Sequence, residues 1–487
     1  MNVFQKIVAL PYKWKVAIVF VIGLFMDILD TTIVNVAIPQ LARDFKVTST
    51  GIEWVVTGYL LSLAVWIPAS GWIGDRFGTK KTFIFALTMF TFASALCGLA
   101  WNVESLVAFR ILQGVGGGML TPVGTAMLFR AFPPNERGAA ATVLTIPTVV
   151  APAVGPVLGG FLVTKVSWHW IFLVNVPIGL FGLFMAFTFL QEHKEPSAGR
   201  FDASGFVLSG GGLALVLYGL SRGPSAGWGS LEVRGTLLGG VACFALLVIV
   251  ELRQPKPMLD LRLFNDRVFR TMNIASTLAF GSLIGLLFLL PLYLQSLRGF
   301  SALQSGLATF PQALGVILAS RLFVAKALPK FGPKPLLLLG LSGLALSTFG
   351  FVFVGLTTSA WIIRALMFVR GLFFAPVIIS LQASSFVTIR PQDTGRASSL
   401  YSTVRQVGAA LGVAMVATSL ATRSKSRIAD ANGPTAIPAA RLAAFHDTFW
   451  FSVVILAVAF AFVLTIDNEK LRSLLAGRGG PSAEAAH

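Results

Sequence analysis

The sequence has little charge, little cysteine and little histidine for its length. Of 487 residues only 12% are charged, and the chain holds 2 cysteines and 4 histidines. A soluble domain carries charge on about a quarter of its residues, so a soluble globular fold is excluded. Cys97 and Cys243 lie in apolar stretches and support neither a disulfide framework nor a metal site. The sequence contains no phosphate loop, nucleophile elbow or zinc motif, so it predicts no enzyme and no cofactor.

The sequence is instead rich in long apolar segments. Hydrophobic residues make up 55% of it, and the mean hydropathy is +0.80. Runs of about 20 mostly apolar residues, each able to cross ~30 Å of hydrocarbon as a helix, recur along the chain. The first run is too long for a signal sequence and lacks a cleavage site. The predicted spanning helices lie near 16–39, 52–73, 82–101, 104–128, 139–164, 170–190, 203–221, 235–252, 271–295, 304–324, 335–356, 360–384, 398–421 and 449–467.

The basic residues explain the net charge of +18 without a nucleic-acid partner. Most lysines and arginines fall in loops on the side of the amino terminus, which is the asymmetry of the positive-inside rule. This distribution predicts a multi-pass protein of a bacterial inner membrane with both termini in the cytoplasm, and no nucleic-acid binding. The stretch near 422–446 is rich in Ser, Arg, Ala and Pro and predicts a long outer loop.

A faint internal repeat runs through the chain. Phe77-Gly78-Thr79-Lys80 returns as Phe331-Gly332-Pro333-Lys334, and Arg110 with Pro122 returns as Arg364 with Pro376 at the same offset. Parallel six-helix repeats are the construction of two-bundle transporters, which bind substrate between the halves. We expect an all-α membrane protein with an N-terminal bundle over 1–192, a linker with two extra helices over 193–260, a C-terminal bundle over 261–468 and a cytoplasmic tail over 469–487.

Acidic residues interrupt the first predicted helix. Asp30 stands in Leu29-Asp30-Thr31-Thr32-Ile33-Val34-Asn35-Val36-Ala37-Ile38-Pro39, and Asp27 lies one turn earlier on much the same face. An ionised carboxylate at that depth is costly, so it should face a cavity, find a cation or hold a proton. Because two acids one turn apart repel, their titrations couple. The alternative is a pair of buried polar residues that only fix helix packing.

An arginine lies inside the fourth predicted helix, in Arg110-Ile111-Leu112-Gln113-Gly114-Val115-Gly116-Gly117-Gly118. A guanidinium stays charged, so Arg110 would act as a fixed charge beside the acids. The rise of ~1.5 Å per residue places it about 7 Å from Asp30 in depth, within reach of a long side chain. A packing arginine satisfied by backbone carbonyls is the alternative.

Two further motifs are built from glycine. Gly71-Trp72-Ile73-Gly74-Asp75-Arg76-Phe77-Gly78-Thr79-Lys80-Lys81 joins the second and third predicted helices, and its glycines permit a tight turn and close approach. Asp75 can bind helix N–H groups or a basic partner across the bundle interface, whereas positive-inside anchoring alone explains Lys80. In the second half Pro329 takes the place of Asp75. Gly155-Pro156-Val157-Leu158-Gly159-Gly160 predicts a bent, closely packed fifth helix.

Together these motifs resemble the major facilitator superfamily, and within it the fourteen-span drug:proton antiporters of the QacA/EmrB type. The resemblance implies that Arg110 governs proton transfer with Asp27 and Asp30, and that Gly71, Asp75, Arg76, Gly78 and Lys80 form a cytoplasmic latch. It also implies that Gly155, Pro156, Gly159 and Gly160 belong to a signature of antiporters, although Ala151 replaces the first glycine of that pattern.

Other polar side chains are candidates for supporting roles. Asn35, Tyr59, Gln113 and Tyr293 are polar or amphipathic enough to line a substrate cavity. Glu53, at the outer mouth of the second helix, is a candidate for proton access, and a solvated acid at a helix start is the alternative.

These features predict a proton-coupled exporter of amphipathic small molecules that works as a monomer in membrane lipid. The alternatives are a dedicated exporter of one metabolite, siderophore, antibiotic or lipid, and more distantly an uncoupled facilitator or channel. Some members of the resembled family work with a periplasmic adaptor and an outer-membrane channel, so such partners are also candidates.

Overall fold

The computed structural model describes residues 9–46, 49–195, 199–255, 257–430, 433 and 436–475. Within this part of the chain the secondary structure is helical throughout, with no strand. Helices are the expected answer to an apolar sequence, because a segment inside lipid must satisfy its own backbone N–H and C=O groups. The described ranges contain 14 helices long and apolar enough to span a membrane, so the predicted number is confirmed.

The spanning helices and one terminal helix are numbered in chain order. Helix α6 is preceded by a single turn at Trp170–Leu173. The bounds are Tyr12–Asp44 (α1), Ser49–Phe77 (α2), Thr79–Cys97 (α3), Val103–Ala131 (α4), Arg137–Lys165 (α5), Asn175–Phe189 (α6), Ala203–Ala226 (α7), Leu231–Arg253 (α8), Arg267–Leu292 (α9), Leu303–Phe331 (α10), Pro333–Gly350 (α11), Ala360–Ser385 (α12), Thr394–Ala429 (α13), Ile437–Leu464 (α14) and Asn468–Leu475 (α15).

The prediction of a long outer loop near 422–446 is wrong. Helix α13 continues to Ala429, and α14 already begins at Ile437. The Ala, Arg, Lys and Ser residues after position 421 are adequate helix formers. The break falls instead around Gly433, whose φ of +91° suits glycine.

The helices form two six-helix bundles joined by a hairpin. Helices α1–α6 pack together, as do α9–α14, and α2 packs on α13 while α5 packs on α10. In each contact, the second helix of one bundle packs on the fifth helix of the other. The repeat is also visible in detail: Gly78 and Gly332 both have positive φ, at +107° and +80°. Lys80 Nζ donates to Phe187 O at 3.0 Å, and Lys334 Nζ donates to Leu464 O at 2.8 Å. The sequence bounds of the four segments stay a prediction.

The hairpin α7–α8 covers one seam between the bundles. Leu213 and Leu217 of α7 pack with Ala64 of α2, and Val407 of α13 joins the same cluster. Trp228 Nε1 donates to Thr418 Oγ1 at 2.9 Å. Much of the outer surface of α8 is apolar and exposed, as a lipid-facing helix requires. The insertion therefore closes one side of the interface and adds a membrane-facing layer.

Polar contacts between the bundles gather at one end of the molecule. We call this end, which holds Tyr12, the turn at Gly78 and helix α15, the terminal face. Ser399 Oγ donates to Ile67 O and Pro68 O at 2.7 and 2.8 Å, and Ser398 Oγ donates to Pro122 O at 2.7 Å. Phe129 and Phe386 stack at 4.7 Å. Among the described residues, the hydrogen bonds that join the bundles all lie in the half next to this face, so the conformation is closed there.

Small residues let α9 and α13 approach closely. A Cβ at Gly412 would lie within 2.5 Å of Gly281 Cα, and one at Gly408 would lie 2.8 Å from Thr277 O. Such contacts are made with backbone atoms, which cannot rotate away. The crossing therefore requires glycine, as close helix packing in membranes commonly does.

We predict that Gly412→Ala lowers the thermal unfolding midpoint of the purified protein, because the new methyl group forces α9 and α13 apart. The matched control is Gly211→Ala in α7, where an added Cβ meets no atom within 4 Å. Alanine is intrinsically better than glycine inside a helix, so the control should be neutral or stabilising. Tryptophan fluorescence in detergent measures the unfolding midpoint of each variant. Equal midpoints for the two variants would contradict this packing.

Candidate functional site

Asp30 lies in the middle of the first bundle and is completely buried, with 0% exposure. Arg110 Nη1 lies 2.5 Å from Asp30 Oδ2 in an ion pair. Gln113 Nε2 and Asn175 Nδ2 each donate to Asp30 Oδ1 at 3.0 Å. The carboxylate therefore has a cation and two amide donors, which is what a buried charge needs to be tolerated.

Arg110 is satisfied as fully as its partner. Its Nε donates to Val55 O at 3.1 Å, and its Nη1 also donates to Gln113 Oε1 at 2.6 Å. The guanidinium carbon lies 4.1 Å from the centre of the Tyr59 ring. A planar cation held by these hydrogen bonds and by this ring keeps its charge and its position. The Asp30–Arg110 pair is thus a neutral, fixed unit.

Asp27 has a different environment. Tyr59 Oη donates to Asp27 Oδ1 at 2.5 Å, and Thr121 Oγ1 donates to Oδ2 at 3.3 Å. No basic group among the described residues lies within ion-pair distance of this carboxylate, which is 8% exposed. Hydroxyl groups can both donate and accept, so this setting accommodates the ionised and the protonated carboxyl. Asp27 is therefore the acid of the pair that can exchange a proton without losing its partners.

Tyr59 connects the two acids. Its hydroxyl binds Asp27 while its ring lies under Arg110, and its exposure is 0%. Gly117 leaves the room for this arrangement, because a Cβ there would lie 2.8 Å from Tyr59 Oη and 3.1 Å from Asp27 Oδ1. Tyr59 and Gln113, expected to line a cavity, are thus members of the buried polar network.

The remaining expected site residues lie elsewhere. Tyr293 is buried in the second bundle, where its hydroxyl donates to Gly355 O at 2.8 Å and its ring packs on Phe445. The side chains of Asn35 and Glu53 lie outside the described residues.

Asp75 sits at the terminal face between the bundles. Arg130 Nη2 of α4 lies 2.8 Å from Asp75 Oδ1, and Arg130 Nε donates to Pro391 O of the second bundle at 3.4 Å. A Cβ at Gly395 would lie 2.6 Å from the Asp75 carboxylate, so this acid lies against the first turn of α13. That position, at the positive end of a helix dipole, is favourable for a carboxylate.

The other loop residues divide into two groups. Gly71 touches the second bundle, since a Cβ there would lie 2.6 Å from Gly395 O. Gly78 and Lys80 contact α6 and its following segment within the first bundle: Lys80 N donates to Glu192 Oε1 at 3.1 Å. Arg76 is exposed. The structure therefore brings Gly71 and Asp75 to the interface and leaves Gly78, Lys80 and Arg76 away from it.

The glycine–proline motif of α5 also divides. A Cβ at Gly155 would collide with Thr32 Oγ1 of α1, so this glycine lets α1 and α5 cross closely. Pro156 Cβ lies 3.3 Å from the Cβ position of Gly306 in α10, at the end of the molecule opposite the terminal face. Gly159 is buried, and a Cβ at Gly160 would meet no atom within 4 Å. Gly155 and Pro156 therefore make close contacts with α1 and α10.

Several participants were not singled out from the sequence. Asn175, Thr121 and Ser94 carry no signal beyond a polar side chain in an apolar helix; Ser94 Oγ accepts a hydrogen bond from Gln113 Nε2 at 3.2 Å. Arg130 lies twelve residues past the glycine run of α4. The sequence repeat also paired Arg110 with Arg364, but Arg364 stacks on Trp361 at 4.6 Å and is only half-buried. Arg370, on the same helix α12, is fully buried instead.

Comparison with known proteins agrees with this architecture. The family model described as Major Facilitator Superfamily matches residues 20–413. A Mycobacterium tuberculosis relative named multidrug resistance protein B homolog is 35% identical over 408 residues, covering 82% of this chain and 75% of the relative. An Escherichia coli relative named multidrug resistance protein MdtD is 31% identical over 474 residues, covering 97% of this chain and 98% of the relative.

Two solved structures share the fold at low identity. A double-tryptophan mutant of XylE superposes with a TM-score of 0.63 at 15% identity, covering 96% of this chain and 99% of that one. The human organic anion transporter MFSD10 gives a TM-score of 0.64 at 14% identity, covering 93% and 100%. The chain is a multi-pass membrane transporter, not an enzyme, and it belongs to the major facilitator superfamily, where it groups with relatives named multidrug resistance proteins.

Proposed function

We propose that this protein is a proton-coupled antiporter that exports amphipathic small molecules by alternating access from a bacterial cytoplasm. The observation that carries this proposal is the contrast between two neighbouring acids. Asp30 is neutralised by Arg110, whereas Asp27 is held only by hydroxyl groups. The names of the relatives support the multidrug character of the cargo.

Antiport follows from competition for one carboxylate. An ionised Asp27 at mid-span is costly unless a cation or a proton neutralises it. A proton and the cationic group of a substrate cannot occupy the same carboxylate together, so binding of one releases the other. Arg110 is the fixed charge that keeps Asp30 out of this exchange, which leaves Asp27 to carry the proton.

The terminal face is proposed to be cytoplasmic, as the basic loops indicate, and its closed state is the outward-facing side of the cycle. Opening this face would require Asp75 and Gly71 to separate from α13, so these contacts act as a latch between the two states. A single chain in the inner membrane is the proposed transport unit. An adaptor and an outer-membrane channel stay predictions.

The primary test is Asp27→Asn in proteoliposomes with an imposed pH gradient. An amide cannot exchange a proton, so uphill transport of a cationic dye should fall to the level of protein-free liposomes. Asp44→Asn, an exposed acid on the same helix, is the matched control and should transport normally. Wild-type uphill transport by a folded Asp27→Asn variant would refute the assignment. Transport of the dye by wild type that ignores the gradient would indicate a facilitator.

A double-mutant cycle tests the fixed pair. Arg110→Gln strands a buried carboxylate, and removal of one partner of a buried ion pair costs about 3–5 kcal/mol. Adding Asp30→Asn removes the stranded charge, so the double variant should be more stable than Arg110→Gln alone. Thermal unfolding in detergent measures both. If the double variant loses as much stability as the two single variants together, Asp30 and Arg110 do not act as a unit.

Asp75→Asn should weaken the latch and shift the population toward the state open at the terminal face, while substrate affinity stays within a few fold. The measurement is the distance distribution between spin labels at exposed Lys81 and Gln392, in a Cys243→Ser background. Asp447→Asn is the control, because it breaks an exposed pair with Arg427 inside the second bundle. An unchanged distance distribution together with collapsed affinity would place Asp75 in the binding site instead.

A further inference from the structure

A second cation faces the space between the bundles. Arg405 lies on α13, half-buried, seven positions beyond Ser398, whose side chain bonds Pro122 O of the first bundle. At ~1.5 Å per residue its Cα is about 10 Å deeper than that contact. Val404 packs on a core cluster that contains residues of both bundles, so this part of α13 borders the interface.

The Arg405 side chain turns back along its helix, as long helical side chains do. Its guanidinium carbon lies 4.8 Å from the centre of the Phe280 ring and 5.7 Å from that of Tyr401. Tyr401 is held in turn by a 3.0 Å hydrogen bond between its hydroxyl and Ser276 Oγ. No carboxylate among the described residues lies within the 4.0 Å ion-pair distance of Arg405, so the neighbours described for this cation are aromatic rings and not acids.

The wall opposite Arg405 carries Asp27. Thr121, which donates to Asp27, is the neighbour in sequence of Pro122, so the acid lies just beyond the level of the Ser398 contact. Asp27 and Arg405 thus carry opposite charges on the two sides of the interface. The other charges near Asp27, those of Asp30 and Arg110, cancel within their own pair. The interface is therefore bipolar, with a negative wall in the first bundle and a positive wall in the second.

We propose that this interface selects zwitterionic amphiphiles, whose cationic group binds at Asp27 and whose anionic group binds at Arg405, with Phe280 and Tyr401 against the apolar body. This inference rests on the proposed antiport and names its substrate class.

Simple ions fit the two walls less well. A substrate with only a positive charge would leave Arg405 without an anion and would be repelled by it. A substrate with only a negative charge would bind best when Asp27 is protonated, which couples proton and substrate in the same direction. A zwitterion satisfies both walls and still competes with the proton for Asp27. The two opposite charges and the exchange of substrate for a proton therefore both favour zwitterions.

Three xanthene dyes of similar shape separate these cases. Rhodamine 110 is a zwitterion, rhodamine 123 is its methyl ester and a cation, and fluorescein is an anion. Binding of each dye to the purified full-length protein is measured by fluorescence polarisation, for wild type, Arg405→Gln and Arg405→Lys. Arg364→Gln is the matched control, because Arg364 also stacks on an aromatic ring of the second bundle but is not at this site.

Wild type should bind rhodamine 110 at least about tenfold more tightly than rhodamine 123, since the free carboxylate can form a charge-assisted hydrogen bond with Arg405. Arg405→Gln should remove that preference by weakening rhodamine 110 alone. Arg405→Lys should retain part of the preference, and Arg364→Gln should retain it in full. A wild-type preference for the ester, or an undiminished preference in Arg405→Gln, overturns the proposal.

Dye transport with and without a pH gradient separates this proposal from the antiport itself. If wild type binds rhodamine 110 preferentially through Arg405 but ignores the gradient, the coupling assignment fails and the binding site stands. If gradient-driven transport of rhodamine 123 persists while Arg405→Gln leaves every binding ratio unchanged, the antiport stands and the zwitterion site fails.

Discussion

The ion pair between Asp30 and Arg110 is the interaction on which the first bundle is organised. Its hydrogen bonds come from α1, α2, α3, α4 and α6, through Val55, Ser94 and Asn175 as well as the pair itself. In a low-dielectric interior such a pair persists only when both partners keep their hydrogen bonds, and removing either strands the other. The network therefore fixes where the five helices meet, and among the described buried acids of this bundle it leaves Asp27 without a cation.

That remaining acid links the buried network to the interface between the bundles. Tyr59 holds Asp27 at one end and shields Arg110 at the other, so a change of charge at Asp27 is felt within one side chain of the fixed pair. Asp27 also lies close to the level at which Ser398 joins the bundles, while Asp75 and Gly71 close the terminal face farther along α2. Neutralising a buried carboxylate can thus shift the balance between two packings of the same rigid bundles.

The sequence predicts the architecture well because bilayer thickness, loop charge and the offset of the repeat are all one-dimensional signals. It also identifies Asp27, Asp30 and Arg110, since charges inside apolar helices are rare. It places Arg110 within reach of Asp30, but it could not predict that Asp27 is left to Tyr59, because that choice depends on helix rotation. Arg364 illustrates the same limit: the repeat pairs it with Arg110, yet it stacks on Trp361. The end of α13 was misread because Ser, Arg and Ala suit both loops and helices.

Proton release on substrate binding tests the central claim that Asp27 exchanges a proton with the cargo. Purified protein in weakly buffered detergent is mixed with rhodamine 110, and a pH indicator follows the protons released by wild type, Asp27→Asn and Asp44→Asn. The account predicts release from wild type and from Asp44→Asn, and none from Asp27→Asn at dye concentrations that saturate it. Equal release from Asp27→Asn and wild type would show that another group carries the proton, and would contradict the account.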